Sequence, residues 1–167
     1  MNRHVISILV ENHSGVLSRV SGLFSRRGYN IDSLSVGVTE DSRFSRITIV
    51  AYGEDNIIYQ IHKQLEKLID VLEVIELAPE NSVCRELTLI KVSADASVRS
   101  EIVSIAEIFR ASVIDVSLTT LTVEMTGDQD KIEAFVQLLA PYGIKEIVRT
   151  GLTGIQRGAA TLHQRQE

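Results

Sequence analysis

The sequence predicts an α+β protein built from two modules in tandem, each with the element order strand–helix–strand–strand–helix–strand. Apolar residues alternate along some segments and recur at helical spacing along others, in the same order in both halves of the 167-residue chain. A short echo supports a duplication, since Gly53-Glu54-Asp55 opens the second helix of one half as Gly127-Asp128-Gln129 does in the other. The segment 78–82, which contains Pro79 and small polar residues, separates the halves.

The first module begins with a strand rich in Val and Ile. A polar loop separates this strand from an amphipathic helix, which Gly28 ends as a C-terminal glycine does. Alternating apolar residues then predict two strands, a second amphipathic helix and a last strand before Pro79. The predicted elements are strand 4–11, helix 15–27, strand 30–38, strand 47–51, helix 55–69 and strand 71–77.

The second module repeats this order. Its predicted elements are strand 85–93, helix 98–109, strands 112–117 and 121–126, helix 128–142 and strand 144–148. The stretch 151–158 is rich in glycine and follows neither period, so we expect a flexible end or a segment that a partner orders. The predicted domains are therefore 4–78 and 83–158, with a tail at 159–167.

Two such units predict the ferredoxin-like arrangement, in which two helices cover one face of an antiparallel sheet. This arrangement leaves one sheet face and one strand edge uncovered, and uncovered edges tend to be paired or protected. Ser33, Ser35 and Gly37 are small and alternate with apolar residues, so they are candidates to face another subunit. We therefore expect a homodimer.

Composition limits the compartment and the class of partner. The chain has 44% hydrophobic residues and a formal net charge of −5, which is ordinary for a protein with a core and argues against a nucleic-acid surface. Aromatic residues make up only 5%, so a ferredoxin-like RNA-binding module is disfavoured. Cys84 is the single cysteine, which fits a reducing compartment. No stretch approaches the ~20 apolar residues of a membrane span, and we expect a cytoplasmic protein with no membrane partner.

Catalytic chemistry has little support in the sequence. The chain contains no phosphate-binding Walker loop, no G-x-G-x-x-G and no G-x-S-x-G motif, and its histidines lack metal-ligand spacing. Cys84 has no evident activating partner and is expected to pack as a small apolar group. We expect no catalytic residue and no metal site. Arg19, Arg26 and Arg27 are expected to form a solvated helix face, with docking of a partner as the alternative.

The loop 12–17 is the candidate binding site. Asn12 and Ser14 are capping residues, and Gly15 permits unusual backbone dihedrals and close approach of a bound group. The first turn of a helix presents unpaired N–H donors and the positive end of its dipole, which suit the carboxylate of a small metabolite. A well-capped helix start without a ligand is the alternative. Asn30, at the entrance of the next strand, is a second candidate, although Asn is also a common turn residue.

Three N-terminal segments, residues 10–20, 23–31 and 45–49, resemble the small regulatory subunit of acetolactate synthase (acetohydroxyacid synthase). The resemblance continues more loosely through residues 63–68, 107–110 and 151–158. It implies that the first module is an ACT domain, which binds an amino acid between two chains. The effector in this family is a branched-chain amino acid, usually valine. The implied effector positions are Asn12, Gly15, Val16 and Leu17 of one chain, with Asn30 and Ile31 of the neighbouring chain.

The resemblance further implies a non-catalytic subunit in valine, leucine and isoleucine biosynthesis. It would activate a catalytic subunit that uses thiamine diphosphate, and would make it sensitive to feedback inhibition. Thiamine diphosphate, FAD and Mg²⁺ would then belong to that partner, and this chain would hold no cofactor. The alternative is a stand-alone ACT-type sensor that controls another enzyme or a transcription factor.

Overall fold

The secondary structure confirms the predicted α+β class. A computed structural model describes residues 2–162, which form two compact units. The first unit contains residues 2–84 and 152–162, and the second contains residues 85–151. Each unit has an antiparallel sheet and two α-helices in the order βαββαβ. The predicted range 83–158 thus spans both units, because the chain returns to the first unit at Leu152.

The first unit has four strands in the order β2-β3-β1-β4. The predicted second helix, 55–69, ends earlier than expected, at Leu65, and hydrogen-bonded turns carry the chain to the next strand. The elements are β1 (Asn2–Glu11), α1 (Val16–Arg26), β2 (Ser33–Val38), β3 (Phe44–Gly53), α2 (Asp55–Leu65) and β4 (Val71–Glu76).

The central strand β1 is buried on both faces of this sheet. Its residues Ile6, Ile8 and Val10 pack on the side of the two helices, where Phe24 is fully buried. Val5 faces the other way and joins a separate apolar cluster with Val50, Leu77 and Leu152. Residues from the end of the described chain therefore cover part of the sheet face that the helices leave open.

The C-terminal stretch forms a strand that the sequence did not predict. Residues Thr153–Gln156 form β9, which pairs with β5 (Ser82–Ser93). The Arg157 N–H donates to the Asn81 carbonyl oxygen at 2.8 Å. The Leu152 N–H donates to Ser33 Oγ at 2.8 Å. Ser33 therefore contacts this chain's own segment, at a position that was expected to face another subunit. The part of the predicted tail beyond residue 162 lies outside the described residues.

The second unit has the corresponding order β6-β7-β5-β8. Phe109 and Phe135 pack in its core with ring centroids 5.1 Å apart. The predicted helix 128–142 ends at Leu139, where a short 3₁₀ turn containing Pro141 follows. The elements are β5 (Ser82–Ser93), α3 (Arg99–Ile108), β6 (Ser112–Val116), β7 (Thr120–Gly127), α4 (Gln129–Leu139) and β8 (Ile144–Arg149). Among the described residues, no helix has the length and apolar character needed to cross a membrane.

Candidate functional site

The loop between β1 and α1 reaches the helix through Gly15. This residue is the N-cap of α1 and has a φ of +89°, a left-handed conformation that favours glycine. The predicted side-chain caps are wrong, because within residues 2–162 no side chain accepts a hydrogen bond from the start of α1. Instead the Asn12 side-chain amide donates to the Ser42 carbonyl oxygen at 2.8 Å, and its backbone N–H donates to the Arg43 carbonyl oxygen at 2.7 Å. Asn12 thus ties the loop to the turn between β2 and β3.

The first turn of α1 therefore keeps its N–H donors free of a side-chain cap. An α-helix leaves its first N–H groups without intrahelical partners, and the first bond here runs from the Arg19 N–H to the Gly15 carbonyl oxygen. Val16 is buried in the core and offers a ligand only its backbone. Leu17 is 42% exposed and remains accessible to an apolar group. The start of α1 at Gly15, Val16 and Leu17 forms a helix mouth that can thus bind a carboxylate beside an aliphatic surface.

A network of charged side chains surrounds this loop, and the sequence did not reveal it. The Asp70 side chain is only 8% exposed, and its Oδ2 accepts a hydrogen bond from Arg19 Nε at 2.6 Å. His13 Nε2 lies 3.0 Å from Asp70 Oδ1 and 3.1 Å from Glu11 Oε2. Its Nδ1 lies 3.2 Å from the Ser14 carbonyl oxygen. Arg19 is exposed, as expected of a solvated helix face, but it also forms an ion pair with a buried carboxylate.

The environment of His13 raises the pKa of its imidazole above the ordinary 6.5. The hydrogen bond to the Ser14 carbonyl is the largest cause. The hydrogen bond to Glu11 and the negative charges of Asp70 and Glu11 also raise this pKa, and partial desolvation opposes them. A protonated His13 therefore fits the two carboxylates beside it.

Glu11, His13 and Asp70 also have the chemistry of metal ligands, although their spacing in the sequence has no such pattern. Each offers one ligand atom, and these atoms lie within 4.8 Å of one another. Arg19 and a protonated His13 can balance the two carboxylates without an ion. Asp70 is 51 residues from Arg19 in the chain, so only the fold brings them together.

Arg19 also adds positive charge beside Gly15. A Cβ atom placed on Gly15 would lie 3.0 Å from Arg19 Nη1, so the guanidinium lies next to the glycine backbone. The helix mouth therefore combines free N–H donors with a nearby cation, and both favour a bound carboxylate.

Asn30 and Ile31 lie between α1 and β2. Asn30 is exposed, and its side-chain amide donates to Asp32 Oδ1 at 3.2 Å. Ile31 is half-buried against the core of the first unit. Within the described residues, no hydrogen bond joins Asn30 or Ile31 to the loop 12–15. Their predicted role depends on a second chain.

The remaining candidates lie elsewhere. Cys84 is partly buried against the apolar cluster around Leu152, consistent with the packing expected of it. Arg26 and Arg27 are exposed, as expected of a solvated helix face.

Family models match both halves of the chain. The model described as "AHAS small subunit-like ACT domain" matches residues 6–73. The model described as "Small subunit of acetolactate synthase" matches residues 85–158. Each match falls on one of the two predicted domains.

Curated relatives match almost the whole chain. The acetolactate synthase small subunit of Mycolicibacterium smegmatis is 53% identical over 155 residues, which cover 93% of this chain and 91% of the relative. The subunit of the same name from Bacillus subtilis is 52% identical over 157 residues, covering 93% and 91%. A probable acetolactate synthase small subunit of Methanothermobacter thermautotrophicus is 52% identical over 160 residues, covering 95% of each.

A solved structure agrees with these relatives. The crystal structure of the acetolactate synthase small subunit from Thermotoga maritima matches with a TM-score of 0.88 and 42% identity. The match covers 96% of this chain and 100% of that one. The resemblance found in the sequence is therefore confirmed, and the chain belongs to the family of acetolactate synthase small subunits.

Proposed function

We propose that this chain activates a catalytic acetolactate synthase subunit and makes it sensitive to feedback inhibition by valine or another branched-chain amino acid. The observation that carries the proposal is the uncapped start of α1 at Gly15, next to the guanidinium of Arg19. This arrangement suits the carboxylate of an amino acid and needs no catalytic side chain.

Recognition of the effector uses three kinds of contact. The carboxylate binds the N–H groups at the start of α1, with Arg19 adding positive charge. The exposed Leu17 and the half-buried Ile31 supply the apolar surface for an aliphatic side chain, whose burial contributes roughly 1.5–3 kcal/mol. Asn30 adds a polar contact. Valine, leucine and isoleucine differ by about one methylene, which is worth about 1–3 kcal/mol.

The proposal includes a homodimer, because the effector would bind between the Gly15 loop of one chain and the residues Asn30 and Ile31 of the second chain. Strand β2 forms one edge of the first sheet, and its Val36 and Val38 are 46% and 58% exposed. An uncovered edge with exposed apolar residues is suited to pairing with a second copy. Thiamine diphosphate, FAD and Mg²⁺ belong to the catalytic partner in this proposal, and the assembly works in the cytoplasm.

Feedback inhibition requires valine to bind two states of the assembly with different affinities. One state activates the catalytic subunit and the other does so less. Binding between two chains supplies such a difference when the two states hold the chains in different relative positions.

Reconstitution tests the proposal. The catalytic subunit is assayed for acetolactate formation alone, with this chain, and with this chain across a range of valine concentrations. We expect activation by the chain and its reversal by valine. The Asn30→Ala variant should need more valine, whereas Gln60→Ala, at an exposed position on α2, should behave as the wild type.

Two results would contradict this proposal. A chain that leaves acetolactate formation unchanged is not an activator of that enzyme. A chain that binds valine but neither binds nor activates the catalytic subunit would instead be a stand-alone amino-acid sensor.

A further inference from the structure

Both ring nitrogens of His13 face oxygen atoms that accept hydrogen bonds. Nδ1 lies 3.2 Å from the Ser14 carbonyl oxygen, and Nε2 lies 3.1 Å from Glu11 Oε2 and 3.0 Å from Asp70 Oδ1. A neutral imidazole has one N–H and one lone pair, so one nitrogen would present its lone pair to an oxygen about 3 Å away. The imidazolium has two N–H groups and satisfies both sides. The geometry therefore favours the imidazolium form of His13 over the neutral ring.

The charges around His13 come from every element that packs against the loop. Strand β1 contributes Glu11, the segment before β4 contributes Asp70, and α1 contributes Arg19, which pairs with the second oxygen of Asp70. The β2–β3 turn contributes Asp41 and Arg43, which form an ion pair with 2.6 Å between Arg43 Nη2 and Asp41 Oδ2. With His13 protonated, the group of Glu11, His13, Arg19 and Asp70 has a net charge of zero. Without this proton its net charge is −1.

We infer that a proton on His13 holds the loop that carries Gly15 in the shape that receives a carboxylate, so that effector binding is coupled to pH. The inference rests on the proposed function for its ligand, and on the contacts of His13 for its mechanism. Protonated His13 joins Glu11 at the end of β1 to Asp70. Asp70 in turn holds Arg19, whose guanidinium lies beside Gly15.

The direction of the pH effect follows from the raised pKa of His13. A raised pKa means that the folded loop binds this proton more tightly than an unfolded chain does. The resulting stabilisation is complete below pH 6.5 and is lost as the pH rises through the higher value of the folded loop. Above that pH, one ring nitrogen of His13 presents a lone pair to an oxygen about 3 Å away, and the net charge beside the helix mouth becomes more negative by one unit.

The expected size of the effect is modest because His13 is about half exposed. One added unit charge several ångströms from a bound carboxylate, in a largely aqueous environment, weakens its binding by about two- to five-fold. Salt reduces this difference further.

The first experiment uses the full chain without effector. Nitrogen-15 NMR of the histidine rings, recorded across pH, reports the protonation of each ring nitrogen. We expect the His13 imidazole to titrate above pH 6.5, with both ring nitrogens protonated on the acid side of the transition, and to titrate at lower pH in Glu11→Gln. Titration of His13 at or below 6.5, unaffected by Glu11→Gln, would overturn the inference whatever the effector is.

The second experiment measures the dissociation constant of L-valine by calorimetry at pH 6.0 and pH 8.5. The wild type should bind about two- to five-fold more weakly at pH 8.5, and His13→Gln should show a smaller difference. His62→Gln is the matched control, since this histidine lies on α2 and its Nε2 is near the Val74 carbonyl oxygen. Equal pH dependence in wild type and His13→Gln would overturn the inference.

Failure of the proposed function gives a different result. If valine binds at no pH, the effector assignment is wrong. The inference is then decided on the effector-free chain, by the backbone amide shifts of residues 13–16. These shifts should follow the His13 titration in the wild type but not in His13→Gln; any other pattern overturns the coupling.

Discussion

Replacing Gly15 by aspartate tests the helix mouth directly. The φ of +89° at this position imposes a left-handed conformation, which costs an L-residue roughly 1–2 kcal/mol. Asparagine and aspartate tolerate this conformation better than other residues do. Gly15→Asn therefore carries the same strain without a charge and is the matched control. Both variants should lose about 1–2 kcal/mol of unfolding free energy and still fold.

The charge makes the difference between the two variants. A Cβ at Gly15 lies 3.0 Å from Arg19 Nη1, so the new carboxylate competes with Asp70 for the guanidinium and repels the carboxylate of the effector. At contact distance in a partly aqueous site, this repulsion reduces valine affinity by about 10- to 100-fold. The Gly15→Asn variant should lose at most about ten-fold in valine affinity, because asparagine adds bulk without charge.

Calorimetry with L-valine and the acetolactate assay with the catalytic subunit provide the readouts. Gly15→Asp should activate the catalytic subunit as the wild type does, but should require far more valine for inhibition. Equal valine affinity in Gly15→Asp and the wild type would refute the placement of the carboxylate at this helix mouth. Equal losses in the aspartate and asparagine variants would show that charge is not the cause.

Three further predictions concern packing and titration. A Cβ on Gly154 would lie 2.6 Å from a neighbouring sulfur, so Gly154→Ala should destabilise the first unit by about 1–3 kcal/mol and speed hydrogen exchange in β9. Gly37→Ala is the control, because a Cβ on Gly37 meets no atom within 4 Å. Equal rates of hydrogen exchange in β9 of the two variants would contradict the close contact at Gly154. Phe24→Ala should lower the free energy of unfolding, measured in urea, by about 3–5 kcal/mol. A loss below about 1 kcal/mol would contradict the burial of the Phe24 ring. Hydrogen bonds from Arg43 lower the pKa of the Asp41 carboxyl from 3.8 to about 2. The stabilisation that the ionised Asp41 provides is therefore present above pH 3.8 and is lost as the pH falls toward 2. NMR titration should show this pKa rising toward 3.8 in Arg43→Gln, and an unchanged value would disprove the cause.

The repeated βαββαβ order was predictable because each element has a periodic apolar face. Phe24 belongs to an apolar stripe with helical spacing, and Ile8 belongs to an apolar strand segment. Burial of such faces determines which elements form. The family resemblance was predictable from local segments such as residues 10–20. The left-handed Gly15 at the helix start follows from the same segment, because few residues other than glycine suit that turn.

The strand β9 was not predictable from its own residues. Residues Thr153–Gln156 show no clear alternation, and their strand conformation depends on pairing with β5, which ends 60 residues earlier in the chain. Gly154 is required there because Cys84 and Leu77 lie against its backbone. Such a close approach is a property of packing, so the glycine alone suggested only a turn or a flexible end.

Local pattern thus determined the elements, their order and the candidate binding loop, since periodicity and turn chemistry act between near neighbours in the chain. Tertiary structure alone decided the electrostatics of that loop. Asp70 reaches His13 and Arg19 because β4 pairs beside β1, and the buried Asp70 carboxylate contacts both of their side chains. Charge interactions depend on distance in space and on exclusion of water, and neither quantity is encoded by residues 10–20 in isolation.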